Sequence, residues 1–377
     1  MVIVLSIALI TGCERPSRTP SKSVTPATAQ TTASLQQTIE SFLARHPLMA
    51  SVIAQVEYPS RALSWAGAAG VTRRVHGVEV DTETAFRVAS VAKMFIATAI
   101  FRLSEQGQLS IDESVTKHLS NATSELLRAR GFAVDSIKVE HLLAHTSGIP
   151  DFDSVDFVNA ITTDPDRRWT RREQLTYGMD RNPKTGEPGS GPNYSNNGFN
   201  LLGEIIEVRT GLGLAAALRQ LIGYERLGMN STWLEADEPA PAGVRLAHAY
   251  DETGFDLQRI NPSADAFGAG GLVSTVGDLN RFIRALLEGR IISGESLRIM
   301  QSGPRDGHGR GLFNLPLGPT TCWGHEGFWG SVAYYCEASG LSLTLSINFA
   351  FMTENRTADP ELRSSALAAQ LVEIASR

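Results

Sequence analysis

The sequence predicts a mixed α/β domain, with a sheet drawn from both ends of the chain and a helical region inserted between. Three observations carry that expectation. Strand-like runs open the folded part, a strongly apolar helix follows them, and three more strand-like runs with a closing helix occupy the C-terminal third. In chain order the first runs are "ASVIAQVEY", "ALSWAGAAGV" and "TAFRVAS". The apolar helix spans Ser90 to about Gln106 and stops at Gly107, a residue suited to a left-handed cap. From about Leu109 to Asp265 short helices such as "GFNLLGEIIEVRTG" alternate with Pro/Gly-rich loops. "CWGHEGFWGSVAYYCEASGLSLTLSINFA" then supplies three strands, and "PELRSSALAAQLVEIAS" an amphipathic helix. The sheet part is therefore expected over about 35–108 and 266–377, and an all-helical insert over about 109–265.

A chain of 377 residues with 42% hydrophobic and 20% charged content is an ordinary globular sequence, large enough for a real core. Its net charge of -6 gives no basic stripe for a phosphate backbone, so no nucleic-acid partner is expected. The opening run "MVIVLSIALITGC" is too short to span a bilayer and reads as a signal h-region, although no Lys or Arg precedes it. Its "ITGC" ending resembles a bacterial lipoprotein lipobox, which would make Cys13 an acylated anchor and the protein exported and membrane-tethered. Residues 14–34, rich in Ser, Thr and Pro, are expected to be a disordered tether, with the folded domain starting near Leu35. The two remaining cysteines, Cys322 and Cys336, flank two strand-like runs around a turn at Trp329, an arrangement that suggests a disulfide in an exported chain.

In "FRVASVAKMFIATAIF" a single lysine, Lys93, interrupts an otherwise apolar run. Ser90 lies three residues earlier, at the helix start, so both side chains share one face and the lysine leans back toward the serine. An amine among apolar groups is disfavoured as the charged form and can accept a proton from a hydroxyl, activating it as a nucleophile. The bland alternative is a helix-starting serine and a lysine that snorkels to the surface. The same spacing recurs at Ser114 and Lys117, but there Asp112, Glu113 and His118 keep the surroundings polar. Only Ser90 opens a long buried helix.

A second signal is Tyr194-Ser195-Asn196, in a loop just ahead of a helix. A phenol beside a lysine can relay protons, and a carboxamide can hold a substrate amide. An Asn-rich turn that merely caps the helix is the structural alternative. A literal Lys184-Thr185-Gly186 precedes the tyrosine, but Pro183, Pro188 and Pro192 deny that segment a place in a sheet. His325-Glu326-Gly327 lies later, on an expected strand, with a glycine that would let a substrate backbone approach.

With "HLLAHTSGIPDF" and "GAGGLVSTVGDLNRFI" in the same order, these segments resemble the penicillin-recognising serine hydrolases: class C β-lactamases, D,D-carboxypeptidases and related esterases. The resemblance implies a β-lactamase/transpeptidase-like fold, a mixed antiparallel sheet flanked by helices. It implies that Ser90 forms an acyl-enzyme, that Lys93 and Tyr194 handle its proton, and that Asn196, His325 and Gly327 line the substrate site. The backbone N–H groups of Ser90 and Phe328 would form the oxyanion hole. His141 and His145 then belong to a structural segment, no third ligand accompanies them, and neither a metal nor a cofactor is expected. The sequence departs from the β-lactamase pattern where His325 and Glu326 stand in place of lysine and a hydroxyl residue. A neutral imidazole attracts a substrate carboxylate weakly, and an adjacent glutamate would repel it, which lowers the expectation of efficient β-lactam hydrolysis. The leading functional reading is a cell-envelope serine hydrolase acting on D-amino acid peptides (including those of peptidoglycan), β-lactams or small esters. An acyltransferase using the same acyl-enzyme, and a penicillin-binding sensor or scaffold without turnover, are the alternatives.

Overall fold

The computed structural model describes residues 26–352 and 360–377. The apolar N-terminal run and Cys13 lie outside the described residues.

Helix α1 (Pro26–Arg45) leads into the hairpin of β1 (Ser51–Tyr58) and β2 (Leu63–Gly70), then β3 (Phe86–Arg87) and α2 (Ala92–Glu105). The middle of the chain forms α3 (Asn121–Ala129), α4 (Val139–Leu143), α5 (Val155–Thr163), α6 (Arg171–Arg181), α7 (Asn196–Thr210), α8 (Leu214–Leu218) and α9 (Tyr224–Leu227). Short strands β4 (Trp233–Leu234), β5 (Tyr250–Asp251) and β6 (Leu272–Ser274) follow, then α10 (Val276–Leu287) and α11 (Gly294–Gln301). The C-terminal third contributes β7 (Phe313–Leu317), β8 (Thr320–Gly327), β9 (Ser331–Cys336), β10 (Leu341–Ser346), β11 (Phe349–Ala350) and α12 (Ser364–Ser376).

Six strands form one antiparallel sheet in the order β2-β1-β10-β9-β8-β7, which joins the two ends of the chain through the β1–β10 pair. Its interior strand β10, "LSLTLS", is buried at every position because both faces of the sheet are covered. Leu341, Leu343 and Leu345 face the core shared with α1 and α12. On the opposite face Ser342 bonds Asn280 and Thr344 donates to the Val276 carbonyl at 2.9 Å, fastening α10 to the sheet by hydrogen bonds.

Two expectations need correction. Of the tether expected over 14–34, residues 14–25 lie outside the described residues and residues 26–34 belong to α1. Ala and Gln among the Ser/Thr residues favour helix, and the stripe Leu35, Ile39, Phe42 at helical spacing gives it a face to bury, all three being at most 1% exposed. The insert is not all helical either. It carries β4 and β5, and the predicted strand around Phe86 is a two-residue piece paired with β6 in a separate three-stranded sheet. No helix among the described residues is long and apolar enough to cross a membrane.

Helix α2 is buried over most of its length. Of its residues, Ala92 to Phe101 without a break are buried, Lys93 included. Phe95 stacks on Phe282 of α10 with ring centroids 3.6 Å apart, and Gly107, at φ +68°, ends the helical segment.

Candidate active site

A single 3-10 turn, Ala89–Val91, carries Ser90 from β3 into α2. Ala89 has φ +45°, a conformation alanine seldom adopts, and it sharpens the turn that presents the serine at the mouth of the helix. One turn deeper, Lys93 is 0% exposed. Its Nζ lies 2.9 Å from Ser90 Oγ, 2.7 Å from Asn196 Oδ1 and 2.6 Å from the Ala269 carbonyl oxygen. Burial pulls the Lys93 pKa down to about 8, against the opposing pull of the Asp265, Asp151 and Asp153 carboxylates.

That coordination suits both protonation states. A neutral amine has two N–H donors and one lone pair. Two carbonyl-type oxygens take the donors, and the lone pair is left for the Ser90 hydroxyl proton. After transfer, the ammonium has three donors for three acceptors, so the proton moves along one 2.9 Å contact without rearrangement.

Tyr194 completes the triad by donating its hydroxyl to Ser90 Oγ at 2.9 Å. Its ring stacks on His145 at 4.4 Å, and His145 Nδ1 accepts the Ser195 backbone N–H at 3.1 Å, so the histidine sets the height of the loop bearing the phenol. Desolvation of its hydroxyl raises the Tyr194 pKa although 37% of the residue is exposed, and burial drives the His145 pKa well down. The phenol therefore rests as a proton donor and the imidazole as a neutral ring.

Asn196 links the lysine to a buried carboxylate. Ser195 caps α7 by accepting the Gly198 N–H, which places Asn196 in the first turn. Its Oδ1 accepts from Lys93, its Nδ2 donates to Asp151 Oδ2 at 3.1 Å, and its backbone N–H donates to Asp151 Oδ1 at 3.2 Å. One N–H of the carboxamide remains for a substrate carbonyl. Asp151, whose pKa burial raises to about 6, thus orients the group that orients the lysine.

The third wall differs from expectation in two residues. His325 on β8 faces the site, 6.3 Å from the Tyr194 ring, and burial followed by the nearby Lys93 charge lowers its pKa to about 3. Glu326 points to the other face of the sheet, where its Oε1 accepts the Tyr334 hydroxyl at 2.6 Å. It is not beside the substrate, so it does not repel a carboxylate there. Gly327 is needed for the protein's own backbone, since a Cβ there would lie 2.2 Å from the Val88 carbonyl oxygen, a reason for glycine other than the approach of a substrate. Phe328 follows on the turn to β9 and borders the same cavity as Ser90. Cys322 and Cys336 are joined by a disulfide across β8 and β9.

The cavity holds about 220 Å³ and is bordered by Ser90, Tyr194 and Asn196 together with Phe152, Phe157, Val158, Ile161, Phe328 and Trp329. A larger groove of about 580 Å³, bordered by Arg226, Arg281, Arg284 and Arg290, touches none of the nucleophile, lysine or phenol. The other motif copies are structural. Ser114 caps a short helical turn by accepting the Thr116 N–H, and Lys117 is 61% exposed and paired with Glu113. Lys184 is exposed in a loop and donates to the Gly131 carbonyl. His141 Nδ1 accepts the Lys138 backbone N–H at the start of α4.

Sequence reasoning missed Asp151, Asp153, Asp265 and the Ala269 carbonyl. Asp151 follows "HTSGIP" and Ala269 falls within "GAGGLVST", both segments already singled out, but nothing local marks them as facing Lys93.

Comparison with known proteins places these features in context. A family model described as Beta-lactamase matches residues 47–368. Penicillin-binding protein 4 from Amycolatopsis lactamdurans is 28% identical over 315 residues, covering 74% of this chain and 76% of the relative. Esterase EstB from Burkholderia gladioli is 33% identical over 177 residues, but these cover only 46% of this chain and 44% of the esterase. Among solved structures, D-amino acid amidase from Ochrobactrum anthropi SV3, complexed with L-phenylalanine amide, superposes with a TM-score of 0.78 at 25% identity, covering 92% of this chain and 99% of that one.

Proposed function

Because the chain belongs to the Beta-lactamase family of serine hydrolases, we propose that it is a cell-envelope hydrolase that cleaves amides or esters of D-amino acids and other small acyl groups through a Ser90 acyl-enzyme. The single observation that carries this reading is the buried Lys93 amine, held between Ser90 Oγ, Asn196 Oδ1 and the Ala269 carbonyl with Tyr194 on the far side of the serine.

Ser90 Oγ attacks the substrate carbonyl as its proton passes to Lys93 Nζ. The oxyanion is received by the backbone N–H groups of Ser90 and Phe328, donors aimed at charge present only in the transition state. When the tetrahedral species collapses, the bond to the leaving nitrogen or oxygen breaks and the Lys93–Tyr194 pair returns the proton to it. Water repeats the sequence to release the acid.

The preference for a leaving side without a carboxylate rests on charge. His325 stays neutral above about pH 3, and among the described residues no Lys or Arg borders the cavity. A penicillin or a peptide ending in a free carboxylate would therefore meet no cation other than the lysine engaged in the reaction. The amidase and esterase relatives support the same substrate range. Location in the envelope is supported by the lipobox-like sequence ending at Cys13, and Cys13→Ala should shift the protein from the detergent phase to the aqueous phase.

The test is a panel of a nitrophenyl ester, a D-amino acid nitroanilide and a fluorescent penicillin, each given to wild type and Ser90→Ala. Turnover of the first two that vanishes in Ser90→Ala is the expected result. A lasting penicillin adduct with no turnover of any substrate would replace the hydrolase by a sensor.

A further inference from the structure

One of the three oxygens around Lys93 Nζ is the Ala269 carbonyl, and Ala269 lies on the loop that runs from a 3-10 turn, Pro262–Asp265, to β6. That loop serves the site twice. Asp265 Oδ2 accepts the Trp329 indole N–H at 3.0 Å, next to Phe328, and the Asp265 charge acts on Lys93. The loop is also strained. Phe267 has φ +71°, a left-handed conformation that a bulky residue keeps only when its surroundings impose it.

Two buried carboxamides impose it. Gln174 on α6 and Asn200 on α7 are both 0% exposed. Gln174 Nε2 donates to the Ser263 and Ala264 carbonyls at 2.9 and 3.0 Å, and its Oε1 accepts from Asn200 Nδ2 at 2.7 Å. Asn200 Oδ1 in turn accepts the Ala269 backbone N–H at 3.1 Å. Carbonyls only accept and a peptide N–H only donates, so neither amide can be turned over. The pair therefore grips the loop just ahead of Asp265 and again at Ala269. Between these points the loop lies directly on α7, where a Cβ at Gly203 would stand 2.0 Å from the Phe267 carbonyl oxygen. Among the described residues, neither carboxamide is hydrogen-bonded to Ser90, Lys93 or Tyr194. Apolar side chains of the same shape would fill the space as well, so packing alone does not account for a satisfied polar network there.

We propose that Gln174 and Asn200 are positioning residues for the Ser90 reaction, holding the loop so that the Ala269 carbonyl meets Lys93 and Asp265 meets Trp329 in a single geometry. The assignment rests on the hydrolase reading of Ser90 and adds a support for the amine and for the turn that carries Phe328. An ammonium uses all three of its oxygen neighbours as acceptors whereas the neutral amine donates to two, so losing the Ala269 carbonyl penalises the charged form more. A displaced Asp265 works in the same sense, because its charge raises the Lys93 pKa. The other charged or titratable groups facing the amine are Asp151, Asp153, His145, His325 and Tyr194, and substitution of the pair leaves them in the chain.

Asn200→Leu and Gln174→Met remove the bonds and keep the volume, and each is read in two ways on the purified chain. The first needs no substrate. The chain has five lysines, so lysine labelled for carbon NMR follows the Lys93 Cε signal against pH, assigned by its absence from Lys93→Arg. Each variant should titrate about one pH unit below wild type, the size expected for a lost hydrogen bond to a charged group. The second is turnover of the nitrophenyl ester, where kcat should fall about 10- to 100-fold with little change in KM, and the limb in kcat/KM should move down with the titration. A variant that melts earlier but keeps the wild-type titration and kcat makes the pair merely structural and overturns the assignment, as does a titration that climbs. If wild type turns over no substrate, the hydrolase reading fails by itself, and the Lys93 titration alone decides whether the pair positions the amine. Should an isosteric variant fail to fold, Gln174→Asn, whose amide stops one methylene short of its partners, is judged by the same readouts.

Discussion

Lys93 explains why the reacting groups need no rearrangement, and it also sets the pH at which they work. The fraction of free amine increases as pH climbs through about 8, so kcat/KM should increase over the same interval and level off above it. Replacing Lys93 by Ala should cost at least about 10³ in kcat and Tyr194→Phe about 10². Steady-state rates between pH 5 and 10 check both the limb and the losses, and a limb near pH 8 that survives in Lys93→Ala would assign the titration elsewhere. Asp151 makes a sharper case because it touches neither substrate nor nucleophile. Its negative charge raises the Lys93 pKa, so Asp151→Asn should move the limb to lower pH. By loosening Asn196 it should also lower kcat by about 10- to 100-fold with little change in KM. A purely structural role would leave the pH profile in place. At this scale the chain was legible where chemistry and local pattern coincide: Ser90 and Lys93 are marked by an amine in an apolar helix. Asp151 and Asp265 were not, since an aspartate in a loop reads as an ordinary turn residue until distant segments bring it to the lysine.

Elements divide in the same way. The long apolar segments of β1, β10 and α2 announce themselves by period and length, whereas β3 to β6 are two or three residues long and exist only because each finds a partner across the chain. The β8–β9 hairpin shows what period-2 reasoning could have added: neighbouring residues on a strand face opposite ways, so His325 and Glu326 were never going to share a site. The disulfide at the base of this hairpin spans 14 residues of sequence. A loop of that size stabilises by roughly 3 kcal/mol through the unfolded chain. Cys322→Ser with Cys336→Ser should accordingly lower Tm by several degrees in a thermal melt while leaving turnover below the transition largely in place, because both cysteines lie in the core behind the sheet, away from Ser90.

At the scale of the whole molecule the sheet separates two cores, one under α1 and α12 and the other around α2 and the helical insert. Removing residues 1–25 keeps the whole of α1 and provides the reference truncation. Removing 1–45 strips Leu35, Ile39 and Phe42 from the rear core; at about 1.5–3 kcal/mol for each buried side chain, the loss is roughly 5 kcal/mol or more, a large part of the stability of an ordinary domain. Melting curves of the two truncations compare these outcomes directly. The joining of both chain ends in one sheet was legible from the strand-like runs at either end of the sequence. The reach of α1 was not, because a Ser/Thr-rich opening hides the start of a helix whose apolar stripe begins at Leu35, more than two turns later. A last consequence lies in the covalent clasp across β8 and β9. Sliding those strands by one residue would trade an uncharged imidazole for a carboxylate at the reaction centre, and the sulfur link forbids the slide. In a reducing compartment the strand pairing alone would hold that register, so the same imidazole would face Ser90 in a molecule that melts at a lower temperature.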